Sequence, residues 1–147
     1  MPEITYQFAQ SGDGTRIIDL LEAVNLPTGD LREPTWENFI VAHQAEQLVG
    51  VIGLERQGEF GLVRSLAVAK SARSAGLGAE LLRRIASHAR ELGIVELGLI
   101  TDSAPDFFKR HGYHAVSRPN APAALRETEQ FRCICPDSAA IMLQSLS

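Results

Sequence analysis

Cysteine, tryptophan and methionine are scarce in this chain of 147 residues: it has two Cys, one Trp and two Met, and aromatic residues make up only 6%. Two cysteines do not make a disulfide scaffold. Cys133 and Cys135 lie so close in sequence that a disulfide between them would close a very tight ring. Both thiols are therefore expected to be free, in a reducing, cytoplasmic setting. No apolar run approaches the roughly 18 residues that a membrane span needs. The opening Met1-Pro2-Glu3-Ile4-Thr5-Tyr6 has no basic patch followed by an apolar core, so no secretory leader is expected. An excess of one charge is also lacking, with 14 basic and 18 acidic residues and a net charge of −4. That balance gives no pull toward nucleic acid or an anionic membrane. Repeats, low-complexity tracts and linker-like stretches are absent.

What remains is 45% apolar and 22% charged, the composition of an ordinary globular domain. The length suits a single domain over 1–147 that buries roughly two thirds of its unfolded surface. Residues 3–9 read as a strand. Ser11-Gly12-Asp13-Gly14 offers a cap, with Asp13 as the acceptor, and Ile17, Leu20, Leu21 and Val24 follow at helical spacing. Residues 25–30 break that helix. Trp36–His43, Leu48–Glu55 and Phe60–Ala69 read as three strands whose short connections imply an antiparallel meander. A helix is expected over about 77–92. Leu81, Leu82, Ile85, Ala89 and Leu92 form its buried stripe, and Glu80, Arg83, Arg84, Ser87, His88, Arg90 and Glu91 its wet face. Gly93 stands where a left-handed cap is wanted. Val95–Thr101 reads as a strand with Val95, Leu97 and Leu99 on one face. Pro105–His111 reads as a short helix that stops at Gly112. Tyr113–Ser117 and Ala139–Leu146 read as strands, with 118–137 irregular between them. The order β α β β β α β α β β predicts an α/β domain with a mixed sheet.

The informative stretch is Leu66-Ala67-Val68-Ala69-Lys70-Ser71-Ala72-Arg73-Ser74-Ala75-Gly76-Leu77-Gly78: a strand, a loop of small residues, then a helix start. A helix start presents unpaired N–H groups and the positive end of a dipole, which suit phosphate. Gly76 and Gly78 permit close backbone approach, and Arg73 adds a positive charge. No Gly-Lys-Ser/Thr follows, which excludes a nucleoside-triphosphate loop, and the three-glycine dinucleotide fingerprint is missing. Spacing alone leaves open a plain strand-to-helix connection that uses glycine to turn.

Arg73-Ser74-Ala75-Gly76-Leu77-Gly78 resembles the Arg/Gln-x-x-Gly-x-Gly/Ala loop of the GCN5-related N-acetyltransferases (GNAT superfamily). Ser65-Leu66-Ala67-Val68 is similar to that family's fourth strand. Ala104-Pro105-Asp106-Phe107-Phe108-Lys109-Arg110-His111-Gly112-Tyr113 is similar to its closing helix and the aromatic beyond it. The resemblance implies a GNAT fold, with a mixed, splayed central sheet flanked by helices. It also implies acetyl-CoA as co-substrate, with backbone N–H groups of Ser74, Ala75, Gly76, Leu77, Gly78 and Ala79 on the pyrophosphate and Arg73 nearby. The strand segment Leu66, Ala67 and Val68 would pair with the pantetheine arm. The sheet would splay between 66–68 and 95–101, and a main-chain N–H near Val68 would polarise the acetyl carbonyl. Thr101, Phe107 and Phe108 would flank the cofactor. Segments 26–31, 62–68 and 135–139 further resemble small acetyltransferases encoded with arsenic-resistance genes. The region of Thr101, Phe107-Phe108 and 119–143 is similar to the acetyltransferase domain of N-acetylglutamate synthases. Both imply direct transfer to the primary amine of a small, amino-acid-like substrate, with arsenical or phosphinic amino acids among the candidates.

The sequence departs from the family pattern in two places. Many members carry a tyrosine as general acid where Phe108 stands here, and Leu62 occupies the commonest base position. Glu55 and Glu59 are the nearest carboxylates, either as base candidates or as solvated strand-end charges. Arg64 alternates with Leu62 and Leu66 and so is expected to share their face. It would either bind an acceptor's carboxylate or phosphonate or snorkel at a strand edge. Cys133 and Cys135 have three readings: packing, one thiol (Cys135) in the substrate pocket, or a soft metalloid held by both. Two thiols alone make a poor zinc site, and His43, His88, His111 and His114 lack ligand spacing, so no metal is expected. Trp36 reads as core. The terminal β pair and apolar segments such as Ala139–Leu143 suggest an exposed sheet edge and hence a homodimer. The rival to an enzyme is a module with the same fold that binds acetyl-CoA or a metabolite without turnover.

Overall fold

The computed structural model describes residues 3–24, 38–73, 76–101, 104–128, 131 and 139–146. The chain starts with β1 (Ile4–Phe8), passes through a 3-10 turn at Ser11–Asp13 and enters α1 (Gly14–Ala23). Asp13 does not cap the N–H groups of α1; its Oδ2 instead accepts the upstream Gln10 N–H at 2.9 Å, at the start of the 3-10 turn. The expected periodicity buries Ile17 and Leu21 of α1. Next come β2 (Phe39–Gln44), β3 (Gln47–Gln57) and β4 (Phe60–Val68), paired antiparallel as the short connections imply. The second strand begins at Phe39 rather than Trp36, and Trp36 lies outside the described residues.

Helix α2 (Leu77–Glu91) buries Leu77, Leu81, Leu82, Ile85 and Ala89. Gly93 follows it with φ 83°, in the left-handed region where glycine is favoured. Then come β5 (Glu96–Thr101), α3 (Pro105–Arg110), β6 (His114–Val116), α4 (Ala123–Arg126) and β7 (Ala140–Ser145). Two expectations change here. Val95 precedes the strand and is exposed, leaving Leu97 and Leu99 as its buried face. The segment read as irregular holds α4, whose Leu125 is fully buried.

The seven strands form one sheet in the order β1-β2-β3-β4-β5-β7-β6. All neighbouring pairs are antiparallel except β4–β5. Strand β7 therefore lies inside the sheet, bonded to β5 on one side and β6 on the other. Of the terminal pair expected to leave an exposed sheet edge, β6 does lie at the end of the sheet, whereas Ala139–Leu143 does not, because β6 pairs with Ile141, Met142 and Leu143. The sheet ends at β1 and β6.

Helices α2 and α3 cover one face, where Leu81, Ile85, Leu97, Leu99 and Phe108 share a core with Ile52, Leu54 and Val63. Helix α1 covers part of the opposite face through Ile17, Leu21, Phe39, Val51 and Ala67. Helix α4 covers the rest of that face through Leu125, packed with Phe60, Leu62, Ile141 and Leu143. Between these last two clusters, Gly53 lies directly under the Phe39 ring, which a Cβ there would overlap. Gly53→Ala is expected to lower stability by about 1–3 kcal/mol through overpacking. Thermal unfolding should show this as a Tm lower by several degrees.

Candidate active site

Three features of the backbone build the site. The first is a divergence of strands. Strands β4 and β5 pair only at Phe60↔Glu96, Gly61↔Leu97 and Leu62↔Gly98. Beyond Gly98, β5 continues to Thr101 on β7 alone, so the β4 edge from Arg64 to Val68 parts from it. This is the splay expected between 66–68 and the β5 strand.

The second feature is a bulge on β4. Arg64 stands opposite Gly53, yet Ala67 stands opposite Val51, so β4 carries one extra residue there. Ser65 absorbs it with φ 60°, a conformation that costs a non-glycine residue free energy. The extra residue corrects one expectation. Arg64 keeps the face of Leu62, but Leu66 is turned to the other side and packs against the α2 core.

The third feature is the start of α2. Gly76 precedes it with φ 77°, and among the described residues no side chain caps the helix. A Cβ at Gly76 would meet nothing within 4 Å. The first N–H groups of α2, at Leu77, Gly78 and Ala79, have no carbonyl partner within the helix and lie at the positive end of its dipole. Arg73 stands beside this opening, its Nε donating to the Val68 carbonyl at 3.3 Å. Ser74 and Ala75 lie outside the described residues. A Cβ on Gly78 would lie 3.2 Å from the Phe107 ring, so α3 closes against the first turn of α2.

Within this frame Arg64 is buried, its side chain 2% exposed, and its Nη1 lies 3.8 Å from Glu55 Oε2. Its Nε donates to Ser65 Oγ at 3.2 Å. The Glu55 side chain is 36% exposed, but Oε2 itself is buried. Neither a snorkelling Arg64 nor a simply solvated Glu55 describes this pair. Glu59 sits in the exposed turn between β3 and β4, away from it.

Thr101 ends β5 and accepts the Ala104 N–H through Oγ1 at 3.2 Å, which anchors the approach to α3. Phe108 is a core side chain, edge-on to Tyr113 with centroids 5.8 Å apart. Phe107 is half-buried and is the ring of the two next to Gly78. Burial raises the Tyr113 phenol above its ordinary pKa, which suits packing rather than proton donation. Cys133 and Cys135 lie outside the described residues. Among the described residues no three His, Cys, Asp or Glu side chains gather as a metal site.

On α2, Glu80 bonds Arg83 Nη2 at 2.5 Å and Arg84 Nε at 2.6 Å. Those bonds hold its carboxyl at about 2, below the ordinary value. A depressed carboxyl stabilises the fold above its unfolded pKa and loses that contribution as pH falls toward 2. Glu80→Gln should therefore lower Tm slightly at pH 6, by under ~1 kcal/mol for a pair so open to water. The difference should vanish in melts near pH 2. His88, expected on the wet face, is half-buried: it bonds Asn38 Oδ1 at 2.9 Å and meets the Phe8 ring. A cavity of about 350 Å³ opens there, between β1 and α2, with Tyr6, Ile40 and Arg84 among the residues of its wall.

Sequence reasoning missed Ser65 and the place of Gly53 under Phe39. The first follows from β3–β4 register and the second from β2–β3 register, which no local pattern encodes.

The sheet thus opens beside a glycine-led helix start, with the β4 edge and the first turn of α2 on one opening. Residues 35–115 match the family described as acetyltransferase (GNAT) domain, and the chain belongs to that family. The acetyltransferase N-acetylglutamate synthase from Neisseria gonorrhoeae, solved with coenzyme A and N-acetyl-glutamate, superposes with a TM-score of 0.85 at 23% identity. That match covers 100% of this chain and 36% of the synthase, so this chain spans about a third of that relative's length. Rv2747 from Mycobacterium tuberculosis, solved in complex with CoA, gives a TM-score of 0.79 at 20% identity, covering 97% of this chain and 99% of that one. A GNAT acetyltransferase from Staphylococcus aureus Mu50 gives 0.77 at 19% identity, covering 99% and 100%. Among curated proteins no sequence match is found. At these identities the structural likeness speaks for the fold.

Proposed function

We propose that this protein transfers the acetyl group of acetyl-CoA to the primary amine of a small, amino-acid-like acceptor that also carries an acidic group. The observation that carries this reading is the buried Arg64 guanidinium, beside the bulge and next to the point where β4 leaves β5. A guanidinium presents parallel donors that match a carboxylate or phosphonate.

The chain fits the cofactor. The uncapped N–H groups of Leu77, Gly78 and Ala79, with the space over Gly76, suit a pyrophosphate. The free β4 edge of Leu66, Ala67 and Val68 suits an extended pantetheine arm held like an added strand. Bound there, acetyl-CoA would supply an activated acyl group. The main chain at the bulge would orient the thioester carbonyl and stabilise its developing oxyanion. The acceptor would then be held on the α1 and α4 side of the sheet, with its acidic group on Arg64 and its amine toward the splay.

We place this activity in the cytoplasm, without a resident metal. Organoarsenical and phosphinic amino acids belong to the same class of acceptor as glutamate and aspartate. A thiol-release assay over these acids and over neutral amines tests the reading. Acidic amino acids should be acetylated with the higher kcat/KM, and preference for neutral amines would overturn it. Phe108 and Leu62, both core side chains at positions where relatives often carry acid and base, favour one second reading. It is a sensor that binds acetyl-CoA without turnover, and calorimetric binding with no thiol release from any amine would establish it.

A further inference from the structure

We propose that a second copy of this chain docks on the β1 edge, so that the two β1 strands pair antiparallel about a twofold axis and the two sheets run on as one. The backbone shows which groups point outward there. The Ala9 N–H donates to the Phe39 carbonyl at 2.8 Å, in the register that sets Phe8 opposite Ile40. Hydrogen bonding alternates along an antiparallel pair. Thr5 and Gln7 therefore turn their N–H and C=O inward to β2, as Ala9 does. Ile4, Tyr6 and Phe8 turn theirs outward, and among the described residues no strand lies beyond β1.

That pattern complements itself. With Tyr6 opposite Tyr6 of the second copy, Ile4 stands opposite Phe8 and Phe8 opposite Ile4. Each of these pairs can exchange both of its N–H···O bonds, because every residue in them turns its backbone groups outward. This is the isologous geometry of a twofold interface. Thr5 then faces Gln7 of the second copy and Glu3 faces Ala9, so no like charges stand opposite one another. Sheet edges that stay unpaired are commonly short, charged, bulged or broken by proline. Strand β1 reads Ile4-Thr5-Tyr6-Gln7-Phe8, without charge or proline, and pairs with β2 residue for residue. The opposite edge, β6, has only three residues.

The side chains point the same way. Ile4, Tyr6 and Phe8 alternate onto the α2 face of the sheet, where Ile4 and Tyr6 pack against the α2 core. Phe8 is 50% exposed, although its ring meets the His88 ring. The pairing sets Phe8 of the second copy across from Ile4 on this same face. Ile4, Tyr6 and Phe8 of both copies then form one apolar row across the axis. The row borders the cavity between β1 and α2, whose wall includes Tyr6, Phe8 and Ile40. Arg84 lies over the Tyr6 ring, near the axis, and Glu80 pairs with it at 2.6 Å, so its charge is already compensated. An extended segment of another protein could use the same backbone groups. A second copy is favoured because its edge brings the same alternation, length and apolar face in matching register.

Phe8→Pro removes an N–H that points outward and leaves the bonds to β2 in place. Each copy loses one donor and one exposed ring from the interface, so association should weaken roughly tenfold or more. Phe8→Lys keeps the backbone and puts a charge on the edge, with the same effect expected. Both variants should keep a Tm close to wild type, because half of the Phe8 surface is already in water.

The experiment is sedimentation velocity on wild type and both variants from low to high micromolar concentration, with amide hydrogen exchange on the wild type at both ends of that range. A wild-type dimer that the variants weaken, with Tyr6 and Phe8 amides that gain protection as it forms, supports the proposal. The Gln7 and Ala9 amides, bonded to β2, should be protected throughout. A wild type that stays monomeric at high micromolar concentration overturns the proposal. A dimer that neither variant weakens also overturns it. So does a dimer whose Tyr6 and Phe8 amides gain no protection, a readout that needs no variant to fold. A monomer whose Tyr6 and Phe8 amides become protected on adding an alternating Thr-Val peptide gives the edge to another protein and overturns it too.

Discussion

Gly76→Val is expected to weaken acetyl-CoA binding by roughly ten- to a hundredfold, the equivalent of about 1.4–2.7 kcal/mol. Two physical effects converge on this position. Gly76 has φ 77°, a region that a β-branched residue reaches only under strain of order 1–3 kcal/mol. The loop would relieve that strain by rotating, and the N–H groups of α2 would lose their common direction. The space over Gly76 holds no protein atom within 4 Å of an added Cβ, so a valine that kept the native turn would project its methyl groups where the phosphates belong. The two effects separate experimentally. Strain alone lowers the Tm of the ligand-free protein, whereas crowding lowers only the affinity. Gly76→Asn, whose side chain tolerates the left-handed region, should keep most of the ligand-free Tm and still lose affinity. Calorimetry that finds Gly76→Val binding acetyl-CoA as tightly as wild type would place the pyrophosphate elsewhere.

Arg64→Lys is expected to reduce kcat/KM for the acidic acceptor by roughly ten- to a hundredfold with little change in Tm. The loss corresponds to about 1.5–3 kcal/mol for one charge-assisted pair. Lysine keeps a positive charge beside Glu55 but presents no planar fork to a carboxylate or phosphonate. Arg64→Ala should lose the same interaction and also stability, because Glu55 Oε2 would stay buried without its cation. The stability loss should be smaller than the roughly 3–5 kcal/mol of a fully buried pair, since the Glu55 side chain is 36% exposed and can turn to water. Acetyl-CoA affinity should stay near wild type in both variants, because its phosphates are assigned to backbone N–H groups at the start of α2. If Arg64→Lys and Arg64→Ala lower only Tm, and the folded protein keeps its acceptor kinetics, Arg64 is a structural residue.

Most of the fold was legible because it rests on short-range patterns. The 3.6-residue stripe of α2, the short turns of the β2–β3–β4 meander and the proline at the start of α3 each act within a few neighbours. The glycine loop was legible for the same reason. Gly76 marks a backbone position that only a left-handed residue fills well, and Leu77-Gly78 opens the helix directly after it. The likeness of these segments to an acetyltransferase family then carried the cofactor, and the splay of β4 from β5 follows that expectation.

The site chemistry was less legible. Alternation along β4 placed Arg64 and Leu66 on one face, and the bulge at Ser65 undid that by turning Leu66 into the α2 core. A bulge is a mismatch between two strands, so it has no signature within one of them. Glu55 read either as a base candidate or as a solvated strand-end charge. Its real environment is set across the sheet by Leu62 and Arg64, contacts that exist only once β3 and β4 are in register. In the sheet, β7 lies between β5 and β6, and the edges fall to β1 and β6. The sequence by itself thus determined most of the elements and the glycine-led helix start, because those depend on residues close together along the chain, and the class of protein came from the likeness of these segments to a known family. Only the tertiary structure decided which face Arg64 takes, that Glu55 pairs with it, and where the sheet ends, because each depends on strand register and order between distant segments.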